Sequence, residues 1–211
     1  MIVGKRMMRN PVWVDENDSM KKAMDLLKER GIRHLPVLKG DKLVGIVSER
    51  DIKQASPSPA TALEIREIYY LLDRVTIKQI MTRRPYTVSP SAPIEEAAII
   101  MREKKIGCLP VVDDGRLVGI LTETDILDAF IEAMGVNGPG YRVEIALPNR
   151  PGMLYEVTRL LNDFNANIVS VATAVHEDPE MKVLVFRIET NRYKLVKAAL
   201  KKAGYGILSA D

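Results

Sequence analysis

Apolar positions follow two different periods along this chain, and each period predicts a type of element. Met20, Ala23, Met24 and Leu27 stand at i, i+3, i+4 and i+7, as do Ile94, Ala97, Ala98 and Met101, so each set marks one buried face of a helix. Behind each helix come two short apolar runs around a turn: HLPVL and KLVGIV joined by KGD, then CLPVV and RLVGIL joined by DDG. These read as hairpins on which the helix face lies. A short strand around Val12 to Val14 precedes the first helix, and the polar stretch DENDS supplies its cap.

The two sets are copies. A constant shift of 74 residues pairs Pro11 with Pro85, Leu35-Pro36-Val37 with Leu109-Pro110-Val111, Gly45 with Gly119 and Asp51 with Asp125. LVGIVSERDI and LVGILTETDI stand in register, and in both a second helix opens at the hydroxyl residue, Ser48 or Thr122. One such unit is too small to bury its own faces, and two packed together solve that problem. Between them, after SPSP, the segment ATALEIREIYYLLDR carries Leu63, Ile68, Leu71 and Leu72, which predict a connecting helix. The expected limits are 1–57 for the first copy, 58–74 for the connection and 75–134 for the second copy.

From Tyr141 the pattern changes. The stretch GVNGPG, residues 135–140, reads as a linker; it lacks the Gly-Lys-Ser/Thr ending of a phosphate loop. In YRVEIAL, Tyr141, Val143, Ile145 and Leu147 alternate with Arg142, Glu144 and Ala146, as in a half-buried strand. A helix follows with Leu154, Val157, Leu161 and Phe164 on one face. Strands at Ile168 to Ala174 and Lys182 to Glu189 flank the turn HEDPE. A helix with Leu195, Val196, Ala199 and Leu200, and a last strand YGIL, complete residues 141–211. Strand, helix, strand, strand, helix, strand is the order of the ferredoxin-like split unit.

Composition narrows the chemistry. Of 211 residues 46% are hydrophobic, and the net charge of +3 comes from interspersed charges, so a globular α/β protein is expected and a nucleic-acid partner is not favoured. The start MIVGKRMMRN has no secretory core and no run reaches the roughly 18 to 20 apolar residues of a membrane span, so a cytoplasmic protein without a membrane anchor is expected. With one cysteine and two histidines the sequence offers no metal-ligand spacing and no nucleophile, base and orienter set. Cys108 lies just before Leu109-Pro110-Val111 in a predicted buried strand, where a free cysteine more often packs than reacts.

The repeated hydroxyl and acid carry the candidate function. Ser48 with Asp51, and Thr122 with Asp125, have the spacing of a helix-start capping arrangement, which needs no ligand. The same geometry presents helix N–H groups to an anion and a carboxylate to sugar hydroxyls. Capping and ligand binding do not exclude each other.

The Met-then-Pro start, the h-x-h-P-V strand and the G-h-h-[ST]-x-x-D turn, present twice, resemble a tandem pair of cystathionine-β-synthase (CBS) domains, a Bateman module. The resemblance implies that Ser48 and Asp51 serve one adenosine site and Thr122 and Asp125 another, with Asp on the ribose and the hydroxyl on ribose or phosphate. Arg33, His34 and Arg50 stand where the second copy has Gly107, Cys108 and Thr124, so the first site is expected to prefer the phosphorylated ligand. Their plainer readings are a solvated charge for Arg33 and a packed, hydrogen-bonded ring for His34.

RPGML at a strand-to-helix turn and NANIVSV at the next strand resemble an ACT domain. That resemblance implies pairing of sheets in a homodimer and a candidate amino-acid site at Asn149, Gly152, Met153, Leu154 and Asn167. Across its whole length the chain is similar to the acetoin-utilisation protein B family, agreeing at Arg50 and Ser56-Pro57-Ser58; Asn149 stands where the ACT turn commonly carries Asp. The expectation is a non-catalytic regulatory sensor without a catalytic cofactor. Its ligand would be AMP, ADP or ATP, with NAD(H) and S-adenosylmethionine as alternatives, and its partner a metabolic enzyme of the acetoin-utilisation type. The rival readings are a protein-interaction scaffold and a nucleotide-processing enzyme.

Overall fold

The computed structural model describes residues 1–56 and 72–210, in two compact units, Met1–Ile126 and Leu127–Asp211. The expected connecting helix lies almost wholly outside the described residues.

In the first unit the two copies build two sheets. The first has the order β2-β3-β4-β5, from Val14–Asp15, His34–Lys39, Lys42–Ser48 and Thr82–Arg83. The second has the order β1-β7-β6, from Met8–Arg9, Arg116–Thr122 and Cys108–Asp113. The helix faces lie as the periodicity predicts. In α1, Met20–Arg30, Met20, Ala23 and Leu27 are buried while Met24 is half-buried; after the short α2 (Glu49–Ala55) and α3 (Ile77–Ile80), α4 (Ile94–Lys104) buries Ile94, Ala97 and Met101. Ser19 caps α1 by accepting a hydrogen bond from the Lys22 amide.

The copies exchange their opening segments. The strand before Pro11, β1, pairs with β7 of the second copy at Gly119 and Ile120, while the strand before Pro85, β5, pairs with β4 of the first at Gly45 and Ile46. The cores follow the exchange: Ile77 and Met81 pack with Val37 and Val47, and Val3 and Met7 pack with Val111 and Leu121. The crossing is possible because Gly45 and Gly119 carry no side chain; a Cβ there would lie 2.5 Å from the sulfur of Met81 or Met7 respectively. Strand β2, expected at Val12 to Val14, is confined to Val14 and Asp15, because it begins only where the crossing segment reaches β3.

In the second unit the antiparallel sheet has the order β11-β8-β10-β9, from Gly206–Ala210, Tyr141–Pro148, Met181–Glu189 and Asn167–Val175. With α6 (Met153–Asp163) and α7 (Tyr193–Lys202) the chain order is β-α-β-β-α-β. Val143, Ile145, Leu147, Leu184, Phe186 and Ile188 form the core with the helices. Two positions expected on the buried faces turn outward: Leu154 is 47% and Leu195 55% exposed. Met153, one residue earlier, takes the inward place with Val157 and Leu161, and Val196 with Leu200 fills the core from α7. The glycine stretch expected to be a linker is held against the sheet: Ser170 Oγ donates to Met134 O at 2.8 Å, and a Cβ on Gly140 would meet Ile188 O at 2.7 Å.

Candidate functional site

Both repeated hydroxyl–acid pairs close the same ring of hydrogen bonds. The Ser48 amide and hydroxyl each donate to Asp51 Oδ2 at 2.7 Å, and the Asp51 amide donates back to Ser48 Oγ at 3.3 Å. Thr122 and Asp125, at the start of α5 (Glu123–Ala133), repeat the same three contacts at the same distances. Each is a reciprocal capping box, which satisfies amides that the helix itself cannot. Both acids remain half-buried.

The hairpin registers place these caps beside the residues that differ between copies. His34 stands opposite Ser48 on β3 and β4, and Cys108 opposite Thr122 on β6 and β7. The Glu49 amide donates to Arg33 O at 3.0 Å and the Glu123 amide to Gly107 O at 3.1 Å, tying each second helix to the strand before the hairpin.

At His34 the two copies meet. A Cβ built on Gly107 would lie 3.6 Å from His34 Cε1 and 3.5 Å from a carboxylate oxygen of Glu123. Burial holds the imidazole below its ordinary 6.5, the Arg33 and Arg50 guanidiniums push the same way, and Asp51 and Glu123 oppose them. The structure thus gathers Arg33, His34, Arg50 and Asp51 of the first copy with Glu123 of the second. Arg33 and Arg50 are exposed. Glu123 is the residue that sequence reasoning passed over; its one signal was the Glu that follows the hydroxyl in both copies. Cys108 is 5% exposed, and burial first, then the Glu123 carboxylate, push its thiol up to about 12. Among the described residues no cluster of three or more His, Cys, Asp and Glu side chains is placed to hold a metal ion.

The other candidate residues surround the start of α6. Gly152 caps it in the left-handed region at φ +88°, with no side-chain hydrogen bond to the cap. Asn149 is exposed and its amide donates to Glu180 O at 2.7 Å, while Arg150 pairs with Glu156 at 3.3 Å. The Met153 side chain is committed to the core, so only its backbone faces the turn; Leu154 points outward. Asn167, exposed, begins β9 opposite Glu189.

The family model described as CBS domain matches residues 3–58 and 77–132, and that described as ACT domain matches residues 141–204. The chain belongs to the CBS-domain family. Its CBS pair is followed by an ACT domain. The CBS region is 38% identical over 119 residues to an inosine-5'-monophosphate dehydrogenase of Korarchaeum cryptofilum, covering 56% of this chain but 22% of that enzyme. Among solved structures, a Vibrio cholerae protein described as an acetoin utilization protein (AcuB) is 32% identical over 65% of this chain and 95% of its own, at a TM-score of 0.54. A CBS domain pair in complex with 5'-methylthioadenosine and S-adenosyl-L-methionine is 32% identical over 62% of this chain and 95% of its own, at 0.52. CBSX2 in complex with AMP is 30% identical over 62% and 96%, at 0.53. No helix among the described residues is long and apolar enough to cross a membrane.

Proposed function

We propose that this CBS–ACT protein is a non-catalytic regulatory sensor of the cytoplasm, whose CBS pair binds an adenosine-containing ligand. The observation that carries the reading is the gathering of Arg33, His34, Arg50 and Asp51 around the Ser48 cap. The free oxygen of Asp51 is suited to ribose hydroxyls and the two exposed guanidiniums to phosphate oxygens, so the first site prefers a phosphorylated ligand such as AMP, ADP or ATP. Thr122 and Asp125 offer the ribose contact without the arginines, a site that suits a less charged adenosine compound such as S-adenosylmethionine; NAD(H) remains the dinucleotide alternative. The AMP and S-adenosylmethionine complexes of similar CBS pairs support this class of ligand.

The ACT domain supplies pairing. Edge strand β9 leaves Val171 46% and Val175 97% exposed, and an open nine-residue edge of this kind favours addition of a second sheet. Pairing there would bring Asn167 of one chain toward the Asn149–Leu154 turn of another, where the α6 amides would receive an amino-acid carboxylate. The output is altered affinity for a metabolic enzyme, of acetoin-utilisation type by likeness to the Vibrio protein. A difference in ligand affinity between two arrangements must drive it.

The test is thermal unfolding with AMP, ADP, ATP, NADH and S-adenosylmethionine in turn. A ligand at about 100 times its dissociation constant adds about 2.7 kcal/mol and raises the midpoint by several degrees. No rise with any of them would leave a scaffold whose repeated pairs are helix caps and nothing more. Turnover of any of these nucleotides would establish the enzyme reading instead.

A further inference from the structure

Helix α7 carries charge of one sign. Val196 and Leu200 fill the ACT core from its inner face, while Lys194, Lys201 and Lys202 are exposed on the outer one and Lys197 is half-buried at its margin. No Asp or Glu occurs between residues 190 and 210. Elsewhere the chain sets its helical lysines against acids one turn away, Lys22 against Asp18 at 2.8 Å and Lys53 against Glu49 at 2.6 Å. The four lysines of α7 make no hydrogen bond or ion pair with any other described residue. Lys197 and Lys201, one turn apart, repel each other, and no described carboxylate offsets that repulsion. Leu195 stands exposed on the same helix.

Helix α5 is the complement. It carries Glu123, Asp125, Asp128 and Glu132 and no Lys or Arg. Asp125 is held in its capping box, but Asp128 and Glu132 are exposed. Alongside them Leu127 is 56% and Phe130 58% exposed, an apolar stripe beside the acids. Asp128 and Glu132 are separated by the same four residues as Lys197 and Lys201, about 6 Å of helix rise in each case. Within the unit Leu127–Asp211 both faces stay exposed, so the two helices of one chain do not cover each other.

We propose that the outer face of α7 docks on α5 of a second copy of this chain. The lysines meet Asp128 and Glu132, and Leu195 packs on Leu127 and Phe130. A twofold arrangement makes the contact twice and closes the assembly. The surface lies on the helical side of the ACT sheet, apart from edge strand β9, and it depends neither on pairing at that edge nor on adenosine binding.

The test is sedimentation of the native chain, of Lys197→Glu/Lys201→Glu, of Asp128→Lys/Glu132→Lys, and of the two variants mixed in equal amounts, with far-UV circular dichroism as a check on folding. The native chain is to associate, and more weakly in about 1 M salt, where charges more than about 3 Å apart are screened. In each variant alone the facing helices carry like charge, so half-association is to need at least tenfold more protein. In the mixture every α7 again meets an α5 of opposite sign, and association is to return to the native level. A monomeric native chain overturns the proposal. So does a mass that neither reversal lowers, the result expected of pairing through β9 alone, and so does a mixture that fails to reassociate.

Discussion

The imidazole of His34 rests on the bare backbone of Gly107, near enough that a Cβ on the glycine would sit 3.6 Å from its Cε1. In the repeat Gly107 is the counterpart of Arg33. Where the first copy presents a guanidinium, the second therefore leaves a space that the first copy's ring occupies. The twofold likeness of the copies is broken at the place where their caps approach.

One consequence is a pH dependence. His34 is held below its ordinary 6.5 by burial, with Arg33 and Arg50 assisting and Asp51 and Glu123 opposing. The folded chain thus binds this proton more weakly than the unfolded chain. Its contribution to stability is complete above about 6.5 and is lost as pH falls through 6.5 toward the folded value. Urea midpoints are expected to decline over that window, and His34→Gln to flatten the decline. The Cε1 proton resonance of His34 should titrate below 6.5.

Glu123 opposes both the neutral imidazole and an anionic ligand. Glu123→Gln is expected to lower the His34 titration further and to tighten AMP binding several-fold by removing a like charge. Proton NMR and calorimetry read the two effects separately. An unchanged AMP affinity would place the phosphate away from His34.

Cys108 should behave as packing. With its thiol raised to about 12 by burial and Glu123, it is expected to resist a thiol reagent in the native chain near neutral pH and to react promptly in urea. Rapid native labelling would restore the enzyme reading.

The exchange of opening segments depends on Gly45 and Gly119. An alanine at either would place its Cβ 2.5 Å from a methionine sulfur and within about 3 Å of a backbone oxygen, Thr82 O or Met8 O. Each substitution is expected to cost about 1–3 kcal/mol in urea unfolding. Met81→Ala combined with Gly45→Ala should recover part of that loss only if the sulfur contact, rather than the carbonyl, limits the fit.

Much of this architecture was legible in the sequence because it rests on periodicity. The gap-free repeat marked both hairpins and both helix faces, and the alternation after Tyr141 led to the β-α-β-β-α-β order found in the ACT domain. The exchange was not legible, since two-residue strands such as Met8–Arg9 and Thr82–Arg83 are too short to show a period. Leu154 and Leu195 turn outward although the sequence pattern points them inward, because two adjacent registers fit a 3.6-residue repeat almost equally and the packing of each helix on its sheet decides between them. At the candidate site the sequence named the caps and the unlike pair Arg33 and Gly107. The approach of Glu123 to His34 needed the fold, because it joins residues of different copies.

The most direct test of adenosine sensing is calorimetric titration of AMP into the native chain, Asp51→Ala and Asp125→Ala. Loss of either capping carboxylate costs about 0.5–2 kcal/mol of stability whatever the function. Affinity therefore has to be measured where each variant is fully folded. The account predicts saturable binding to the native chain, at least a tenfold loss in Asp51→Ala, and a smaller change in Asp125→Ala. No binding to the native chain, or equal affinity in all three, would contradict it.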